Sequence, residues 1–349
     1  MIMTLKKFIF AMAMALASAA PAAATNSPME LKSVLNDLMT WMPGVYSSAP
    51  QVFFENSAGP PPDGPHENLY RVFAKIDAPH LGEHVIYTQI HIEGKDGPMF
   101  EGQQVLFLVD IDKERQAVRI QGRRIANPEQ FRDAHLHPEM WKTIAPDPQY
   151  GGNCEFLWRR HGAQIVGKLT EKTKNNDTCT MVSKISDTQM TWDAEWILND
   201  HELWVYDNGY LKDGSLFSGR ADKTYLRMSK TRSYECFASY RPFKGDPIVN
   251  SGFAMHDGAD RYTWAVQGVK QPVHIELTRS MWPSESGQNY KELLRIEMYQ
   301  GDPEAEPAKR KVLGNGWAGA DSDRASFGTG TWGARCKLAE AGAAPPKAS

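Results

Sequence analysis

The chain has 349 residues, with 39 Lys and Arg against 42 Asp and Glu, and 41% of its residues are hydrophobic. This composition excludes a disordered chain, and a formal charge of −3 gives no electrostatic reason to expect a nucleic-acid partner. The 28 Gly, 22 Pro, 14 Phe, 12 Tyr and 10 Trp favour many short strands joined by turns, so we expect an all-β protein.

The first 24 residues have the pattern of a secretory signal peptide. Two lysines precede an apolar run from Phe8 to Ala20 that is too short to span a bilayer, and Ala22 and Ala24 form a small-residue cleavage pattern. An uncleaved N-terminal anchor is the alternative. We expect residues 1–24 to be removed and the mature protein to be periplasmic or secreted, with no transmembrane segment.

Four cysteines are expected to pair, because an exported chain meets an oxidising compartment. Sequential pairing, Cys154 with Cys179 and Cys236 with Cys336, is one of three connectivities. We favour it because each bridge then closes one candidate domain. Zinc binding is the competing interpretation, but the chain has no Cys-x-x-Cys pair.

One helix precedes a long series of strand-like segments. Apolar residues recur at helical spacing from Met29 to Met42, and Pro43-Gly44 ends the pattern. Segments rich in β-branched and aromatic residues follow, divided by turn clusters. These segments are 52–54, 69–76, 84–93, 104–112, 155–158, 163–170, 179–185, 189–197, 201–206 and 224–229. About ten strands with short links predict an up-and-down antiparallel β-barrel, and a short helix is expected at Pro128–Trp141.

Residues 85–91 alternate in character along one predicted strand. The polar and aromatic side carries Tyr87, Gln89 and His91, and the other side carries Ile86 and Thr88. A polar and aromatic face is typical of a lumen or cleft.

A second series of strand-like segments begins at Tyr234, which places a domain boundary near Arg232. We therefore expect a barrel domain over 25–232, a smaller disulfide-closed β-rich domain over 233–338, and a disordered tail over 339–349. The aromatic residues of the second domain fit a sugar or protein contact surface or, as we favour, a packed β core. They include Tyr262, Trp264, Trp282 and Trp332.

Several short motifs are interpreted without a cofactor. The Gly-x-Gly-x-x-Gly patterns at Gly314–Gly319 and Gly328–Gly333 do not open a helix after a strand, so we interpret them as β-turns. His135-x-His137-x-Glu139 offers three candidate metal ligands, but Pro138 breaks the spacing and a solvated loop is favoured. We expect no metal site, and no Gly-x-Ser-x-Gly or His-Glu-x-x-His hydrolase motif is present.

An ordered set of motifs runs through the barrel region. The set comprises Trp41-Met42-x-Gly44-x-Tyr46-Ser47, Ile86-Tyr87-x-Gln89, Gly152-x-Cys154, Gly167, Cys179, Trp192 to Trp196, Tyr206-Asp207-Asn208-Gly209-Tyr210 and Asp213-Gly214. Its order and spacing resemble the CpcT/CpeT family of phycobiliprotein chromophore lyases over about residues 35–230.

This resemblance implies a calycin-like barrel of ten strands that holds an open-chain tetrapyrrole, a bilin such as phycocyanobilin or biliverdin, and requires no cofactor. It implies a lyase that delivers the bilin to a cysteine of an acceptor protein as a thioether. By position in the motifs, Glu195 and Asp207 are the catalytic candidates. The candidate ligand-binding residues are Tyr87, Gln89, Trp192, Trp196 and Tyr210.

Two departures from the family pattern remove arginines. Residues 98–103 lack the arginines of a Pro-Tyr-Arg-Gln-Arg-like run, and Asn208 replaces the arginine of an Asp-Arg-Gly turn. Arginine is the side chain best suited to pairing with a propionate. The alternative function is therefore an exported, non-catalytic, calycin-like binding protein for another amphipathic small molecule. A homodimer is compatible with either function.

Overall fold

The computed structural model describes residues 28–340, apart from 101–102, 149–153, 170–178, 183–187, 285, 288 and 304–308. The expected signal peptide and all but two residues of the expected tail lie outside the described residues. No helix within these ranges is long and apolar enough to cross a membrane.

The described residues form two α-helices, three short 3₁₀ helices and twenty strands. The helices are α1 (Pro28–Trp41) and α2 (Ala49–Ala58), and the 3₁₀ helices are Pro128–Phe131, Ala134–Leu136 and Pro138–Lys142. The strands of the first domain are β1 (Gly44–Ser47), β2 (Leu69–Ile76), β3 (His84–Ile92), β4 (Val105–Asp112), β5 (Ala117–Arg124), β6 (Glu155–His161), β7 (Gln164–Lys168), β8 (Thr180–Val182), β9 (Gln189–Leu198), β10 (Glu202–Tyr210), β11 (Leu216–Ser218) and β12 (Leu226–Lys230). Those of the second are β13 (Ser233–Tyr240), β14 (Ile248–His256), β15 (Gly258–Trp264), β16 (Val273–Pro283), β17 (Tyr290–Gln300), β18 (Lys311–Gly319), β19 (Arg324–Gly328) and β20 (Trp332–Leu338).

Ten strands close into an antiparallel barrel. They are hydrogen-bonded in the order β10-β12-β1-β2-β3-β4-β5-β6-β7-β9, and β9 pairs back with β10 from Leu198 opposite Leu203 to Thr191 opposite Tyr210. The short strands β8 and β11 pair with β9 and β10. The predicted ten-stranded antiparallel barrel with an N-terminal helix is confirmed.

The lumen of the barrel is apolar at the end that α1 closes. Every barrel strand contributes to one cluster of buried apolar side chains, which only inward-facing residues of all ten strands can do. Its members are Val34, Leu38 and Met42 with Tyr46, Phe73, Ile86, Phe107, Val109, Val118, Ile120, Trp158, Ile165, Trp196, Leu198, Leu203, Val205 and Met228. The first three come from α1 and the segment that follows it, so this region plugs the lumen with its apolar face.

A glycine makes the sharp exit from α1 into the barrel. Gly44 has φ +145°, a conformation that side-chain-bearing residues rarely adopt, and a Cβ there would lie 2.6 Å from Cε of Lys230. Lys230 donates from Nζ to the carbonyl oxygen of Trp41 at 2.7 Å, which satisfies a helix-terminal carbonyl. The last barrel strand is thereby tied to the end of the plugging helix.

Two local expectations are wrong. The segment 52–54, expected to be a strand, lies inside α2, which begins after Ser48 with Pro50 in its first turn. Its aromatic residues pack on the second domain, with Phe53 at 4.1 Å from Trp282 between ring centres. The helix expected at Pro128–Trp141 is three separate 3₁₀ turns, because Asp133 adopts φ +56° and Pro138 starts a new turn.

The second domain is built from two four-stranded antiparallel sheets, β14-β13-β20-β19 and β15-β16-β17-β18. Their facing sides share one apolar core that includes Tyr234, Val273 and Leu277. Both expected disulfides are present: Cys236 is bonded to Cys336 on the adjacent strand, and Cys154 to Cys179.

Direct hydrogen bonds join the two domains. Ser47 Oγ donates to the carbonyl of Gly258 at 3.0 Å, and Ser280 Oγ donates to the carbonyl of Pro50 at 2.9 Å. The expected boundary near Arg232 falls in the short link between β12 and β13.

Candidate functional site

Arg71 places a positive charge among the aromatic side chains of the lumen. It precedes Phe73 by two residues on β2, so both side chains point inward. Its guanidinium carbon lies 4.6 Å from the ring centre of Phe73 and 4.5 Å from that of Trp196. Its Nε donates to Oγ1 of Thr88 at 3.2 Å, and the residue is 7% exposed. Burial lowers the pKa of Arg71 to about 10, so the group stays cationic at neutral pH.

Asp207 adds a carboxyl group to the same lumen. It follows Val205 by two residues on β10 and lies opposite Ala194 of β9. Burial raises the pKa of Asp207 to about 7, against the lowering effect of Arg71 and with a further raising effect of Asp193. Its Oδ1 has no hydrogen-bond partner in the described structure, and no ion pair within 4 Å is formed with Arg71.

The carboxyl of Asp207 is desolvated, although the residue is not fully buried. Desolvation dominates its pKa, yet the residue is only half-buried and retains accessible surface.

Two indole rings lie against glycines of the barrel wall. Gly209 lies opposite Trp192, and a Cβ at Gly209 would collide with the indole ring. Gly167 is related to Trp158 in the same way. Glycine therefore lets each ring lie flat on the backbone of the barrel wall.

The lumen combines a cation, an acid that titrates near neutral pH, and apolar aromatic walls. A guanidinium binds a carboxylate in a bidentate manner, and the desolvated setting strengthens that contact. A carboxyl with a pKa of about 7 can hold or release a proton at neutral pH, which general acid–base chemistry requires. The lumen therefore offers one group that can bind a carboxylate and one that can exchange a proton.

Three of the seven catalytic and ligand-binding candidates lie on this lumen-facing side. Asp207, Trp192 and Trp196 occupy inward positions on β9 and β10. Two inward residues, Arg71 and Thr88, were missed by the sequence interpretation. The available signal was a single arginine at the inward alternation position between Leu69 and Phe73.

Tyr87 and Gln89 face away from the lumen, contrary to the expectation for this strand. The inward side of β3 is the one with Ile86, which belongs to the lumen cluster, whereas Tyr87 belongs to an outer cluster with Phe131 and Ile144. The 3₁₀ segment covers the polar side of β3. The backbone groups of that segment require hydrogen-bond partners, and the polar side chains of β3 supply them.

A buried network ties Tyr87 and Gln89 to that covering segment. Tyr87 Oη donates to Oε1 of Gln89 at 2.6 Å, and Gln89 Nε2 donates to Oδ1 of Asp133 at 2.6 Å. Gln104 Nε2 donates to Tyr87 Oη at 3.0 Å. Burial raises the pKa of Tyr87 to about 12, so its hydroxyl stays protonated and serves as a fixed donor.

Glu195 lies on the opposite face of β9 from Trp196. It pairs with Nζ of Lys168 at 2.6 Å and accepts a hydrogen bond from Oη of Tyr225 at 2.8 Å. Burial alone would raise the pKa of Glu195, but these two hydrogen bonds outweigh it and hold the pKa below its usual value. The two carboxylates expected to be catalytic are therefore separated by the barrel wall.

Tyr210 also lies on the outer side, beside Tyr206 at 3.1 Å between hydroxyl oxygens. Asn208 donates to the Tyr210 hydroxyl at 3.1 Å, and these hydrogen bonds lower the pKa of Tyr210. Asn208 also binds the backbone of Arg220 at both its amide atoms, which shapes the hairpin after β10.

The disulfide Cys154–Cys179 supports the strand that carries Trp192. The backbone N–H of Trp192 donates to the carbonyl of Cys179 at 2.8 Å, and both cysteines pack in a small apolar cluster with Ala194. Every cysteine of the described chain is disulfide-bonded.

Comparisons with known proteins do not assign the chain to a family. No protein-family model matches it, and no curated protein matches it. A solved structure of a CRL protein of Arabidopsis is similar to it at 13% identity and a TM-score of 0.41, over 57% of this chain and 96% of that one. A similarity at this level does not establish what the chain binds.

Proposed function

We propose that this protein binds a bilin or a related open-chain tetrapyrrole in the lumen of its barrel, as its resemblance to the CpcT/CpeT family implies. The observation that carries the proposal is the cationic Arg71 held between Phe73 and Trp196, in the same lumen as the unpartnered Asp207.

The chemistry of a bilin matches these groups one by one. Its conjugated rings have flat apolar faces, which indole and phenyl rings contact favourably. Its propionate is the partner that the Arg71 guanidinium lacks, since no carboxylate of the described chain lies within 4 Å of it. Its pyrrole N–H groups are donors for Oδ1 of Asp207, which has no partner.

Arg71 can take the place of the arginines that this chain lacks relative to the family pattern. Residues 98–103 and Asn208 lack the guanidinium groups of the family pattern. Arg71 supplies one from β2, inside the lumen, so loss of the others does not remove the means of binding a propionate.

Transfer to an acceptor cysteine is the second step of the proposal. The acceptor thiol adds across a side-chain carbon–carbon double bond of the bilin: sulfur bonds to one carbon, hydrogen to the other, and nothing leaves. In this proposal Asp207 supplies or accepts the proton, because a carboxyl with a pKa of about 7 can do either at neutral pH. The protein's own described cysteines are disulfide-bonded, so the thiol comes from the acceptor.

Non-catalytic carriage of another amphipathic carboxylate is the second candidate function. The observation that favours it is the position of Glu195, which pairs with Lys168 outside the barrel and does not meet Asp207. A single carboxyl in the lumen is sufficient for binding, whereas the family resemblance implies two for transfer. Disulfides are typical of proteins in an oxidising compartment, which fits an exported carrier.

The binding proposal is tested by titrating the oxidised protein with biliverdin and with phycocyanobilin. We expect a saturable red shift with induced circular dichroism at micromolar concentration. Arg71→Met should weaken binding at least tenfold, while Arg227→Met, an exposed arginine of the same barrel, should not. The absence of any response, or equal responses of both variants, would rule out bilin binding at Arg71.

A second measurement separates transfer from carriage. The bilin-loaded protein is mixed with a phycobiliprotein apo-subunit, and the subunit is examined for zinc-enhanced fluorescence after denaturing electrophoresis. Covalent labelling that is lost in Asp207→Asn supports the lyase function, and loss in Glu195→Gln would support the predicted role of that residue. Binding without labelling supports the carrier.

A further inference from the structure

An open groove crosses the outer face of the sheet β14-β13-β20-β19, on the second domain. Its volume is about 610 Å³, and all four strands contribute to it. Cys236 and Ala238 point into the core, so Phe237 and Ser239, which alternate with them along β13, point outward.

The floor of the groove is low because glycines face each other across two strands. Gly333 of β20 lies opposite Ser239 of β13 on one side and opposite Gly328 of β19 on the other. Because these two glycines have no side chains, the sheet surface is lower at this point than at the neighbouring Phe237 and Arg335.

The groove is cationic, with Arg241 and Arg335 as its charged side chains and no lining Asp or Glu among the described residues. Both arginines are exposed, and within the described chain neither guanidinium forms an ion pair or a hydrogen bond. Arg335 lies 5.8 Å from the ring centre of Phe237. In the same domain, Arg232 and Arg310 each pair with a carboxylate, at 2.8 and 3.0 Å.

The groove also offers aromatic and hydroxyl groups. Phe237 is the ring on the outward side, whereas Tyr240 and Trp332, stacked at 4.3 Å between ring centres, border the groove but pack against the core of the domain. Ser239, Ser326 and Thr331 supply hydroxyls. In the adjoining hairpin, Phe243 is 99% exposed, and the charges of Lys244 and Asp246 offset each other.

We propose that this groove binds an acidic oligosaccharide, a chain of sugars that carry carboxylates. The ring of Phe237 contacts the C–H face of a sugar, the hydroxyls exchange hydrogen bonds with sugar hydroxyls, and the two arginines pair with carboxylates. The volume of about 610 Å³ lies within the usual range of about 300–1,000 Å³ for ligand sites.

The direction of the groove distinguishes a glycan from a peptide. A peptide that adds to a sheet pairs with the backbone of an edge strand. This groove runs across the sheet, and its central strands β13 and β20 already pair with neighbours on both sides. Recognition here depends on side chains, as it does for sugars. Two unpaired arginines on a chain of net charge −3 are too few for a nucleic-acid surface.

The test is calorimetric titration of the oxidised protein with trigalacturonic acid and with its methyl ester. We expect the acid to bind and the neutral ester to bind at least tenfold more weakly. Arg335→Gln and Arg241→Gln should each weaken binding of the acid at least fivefold. Arg324→Gln is the matched control, because Arg324 is exposed on the same sheet but outside the groove.

Three results would overturn the proposal. The first is equal binding of acid and ester, and the second is an equal loss in the Arg324→Gln control. The third is tighter binding of hexaglutamate or of single-stranded DNA than of the acidic sugar, which would assign the groove to those ligands. Circular dichroism melting of each variant shows that it remains folded. Bilin binding in the lumen does not enter this test.

Discussion

The two domains have interiors of opposite character. The core of the second domain is a continuous apolar cluster closed by a disulfide, with Leu277 and Ile296 fully buried. The barrel lumen is apolar at its plugged end but contains Arg71 and Asp207 without a mutual ion pair. Burying charges without close partners costs stability. The second core therefore serves stability, whereas the lumen holds two ionisable groups that a purely structural core does not need.

The largest effect should come from removing the disulfide of the second domain. We expect the double substitution Cys236→Ala and Cys336→Ala to lower the free energy of unfolding by about 4 kcal/mol, because the bridge closes a loop of 100 residues. Urea unfolding followed by tryptophan fluorescence measures this loss. If the variant is as stable as the parent, the second core does not depend on its cross-link.

The next prediction compares the loss of stability from shortening an apolar side chain in the second core with that from removing the charge in the lumen. Leu277→Ala should cost about 3 kcal/mol, since the side chain is fully buried in the packed core of the second domain. Arg71→Met in the lumen should change stability by less than about 1 kcal/mol or increase it, because a desolvated charge is replaced by an apolar chain of similar length. Both are measured by urea unfolding at one pH. If both variants lose the same free energy of unfolding, the two interiors contribute to stability in the same way.

The pH dependence of stability sharpens the same distinction. The folded-state pKa of Asp207, about 7, lies above its ordinary value of 3.8. Its contribution to stability is therefore complete below about pH 4 and is lost as the pH rises to about 7. Asp207→Asn should match the parent near pH 4 and exceed it by on the order of 2 kcal/mol above pH 7, since the half-buried group is partly solvated.

Unfolding curves at several pH values between about 4 and 8 test this dependence. Asp200→Asn, in the exposed β9–β10 turn, is the control. Parallel curves for Asp207→Asn and the parent would mean that the carboxyl is not desolvated in the folded protein.

The smallest effect is expected outside the barrel wall. Glu195→Gln removes a partly exposed ion pair with Lys168, which should cost about 0.5 kcal/mol. Because Glu195 faces away from the lumen, the affinity for biliverdin in the absorption titration should not change. A weaker complex would place the ligand against the outer face of β9 instead.

Alternation and composition predicted an antiparallel barrel of about ten strands, but they did not identify β1 and β5 among its strands. Each barrel strand carries apolar residues at inward positions, and the spacing of the cysteines matched one bridge to each domain. The segment 52–54 was misassigned because two phenylalanines in a short apolar run fit a strand, whereas in α2 they cover the second domain. The local sequence could not indicate the contact of this segment with the second domain, because the two are far apart in the chain.

The candidate site was harder to predict because alternation does not say which side of a strand is the lumen. On β3 the polar side with Tyr87 and Gln89 lies under the 3₁₀ segment, a covering that residues 84–93 cannot reveal. Arg71 was missed because it belongs to no motif, and its environment comes from Trp196, more than a hundred residues away in the chain. Asp207 was found through its motif, but its raised pKa depends on the closed barrel.

The pairing of β1 with β12 determines when the lumen comes into existence. Only two residue pairs, Tyr46 with Lys230 and Ser47 with Ser229, join these strands in the described ladder, against eight between β9 and β10. This seam joins the beginning and the end of the barrel sequence, and such long-range pairing forms slowly. Amide hydrogen exchange should therefore be fastest at the seam. A nascent chain cannot enclose a guest until Lys230 has been synthesised and docked against the helix at the other end of the domain.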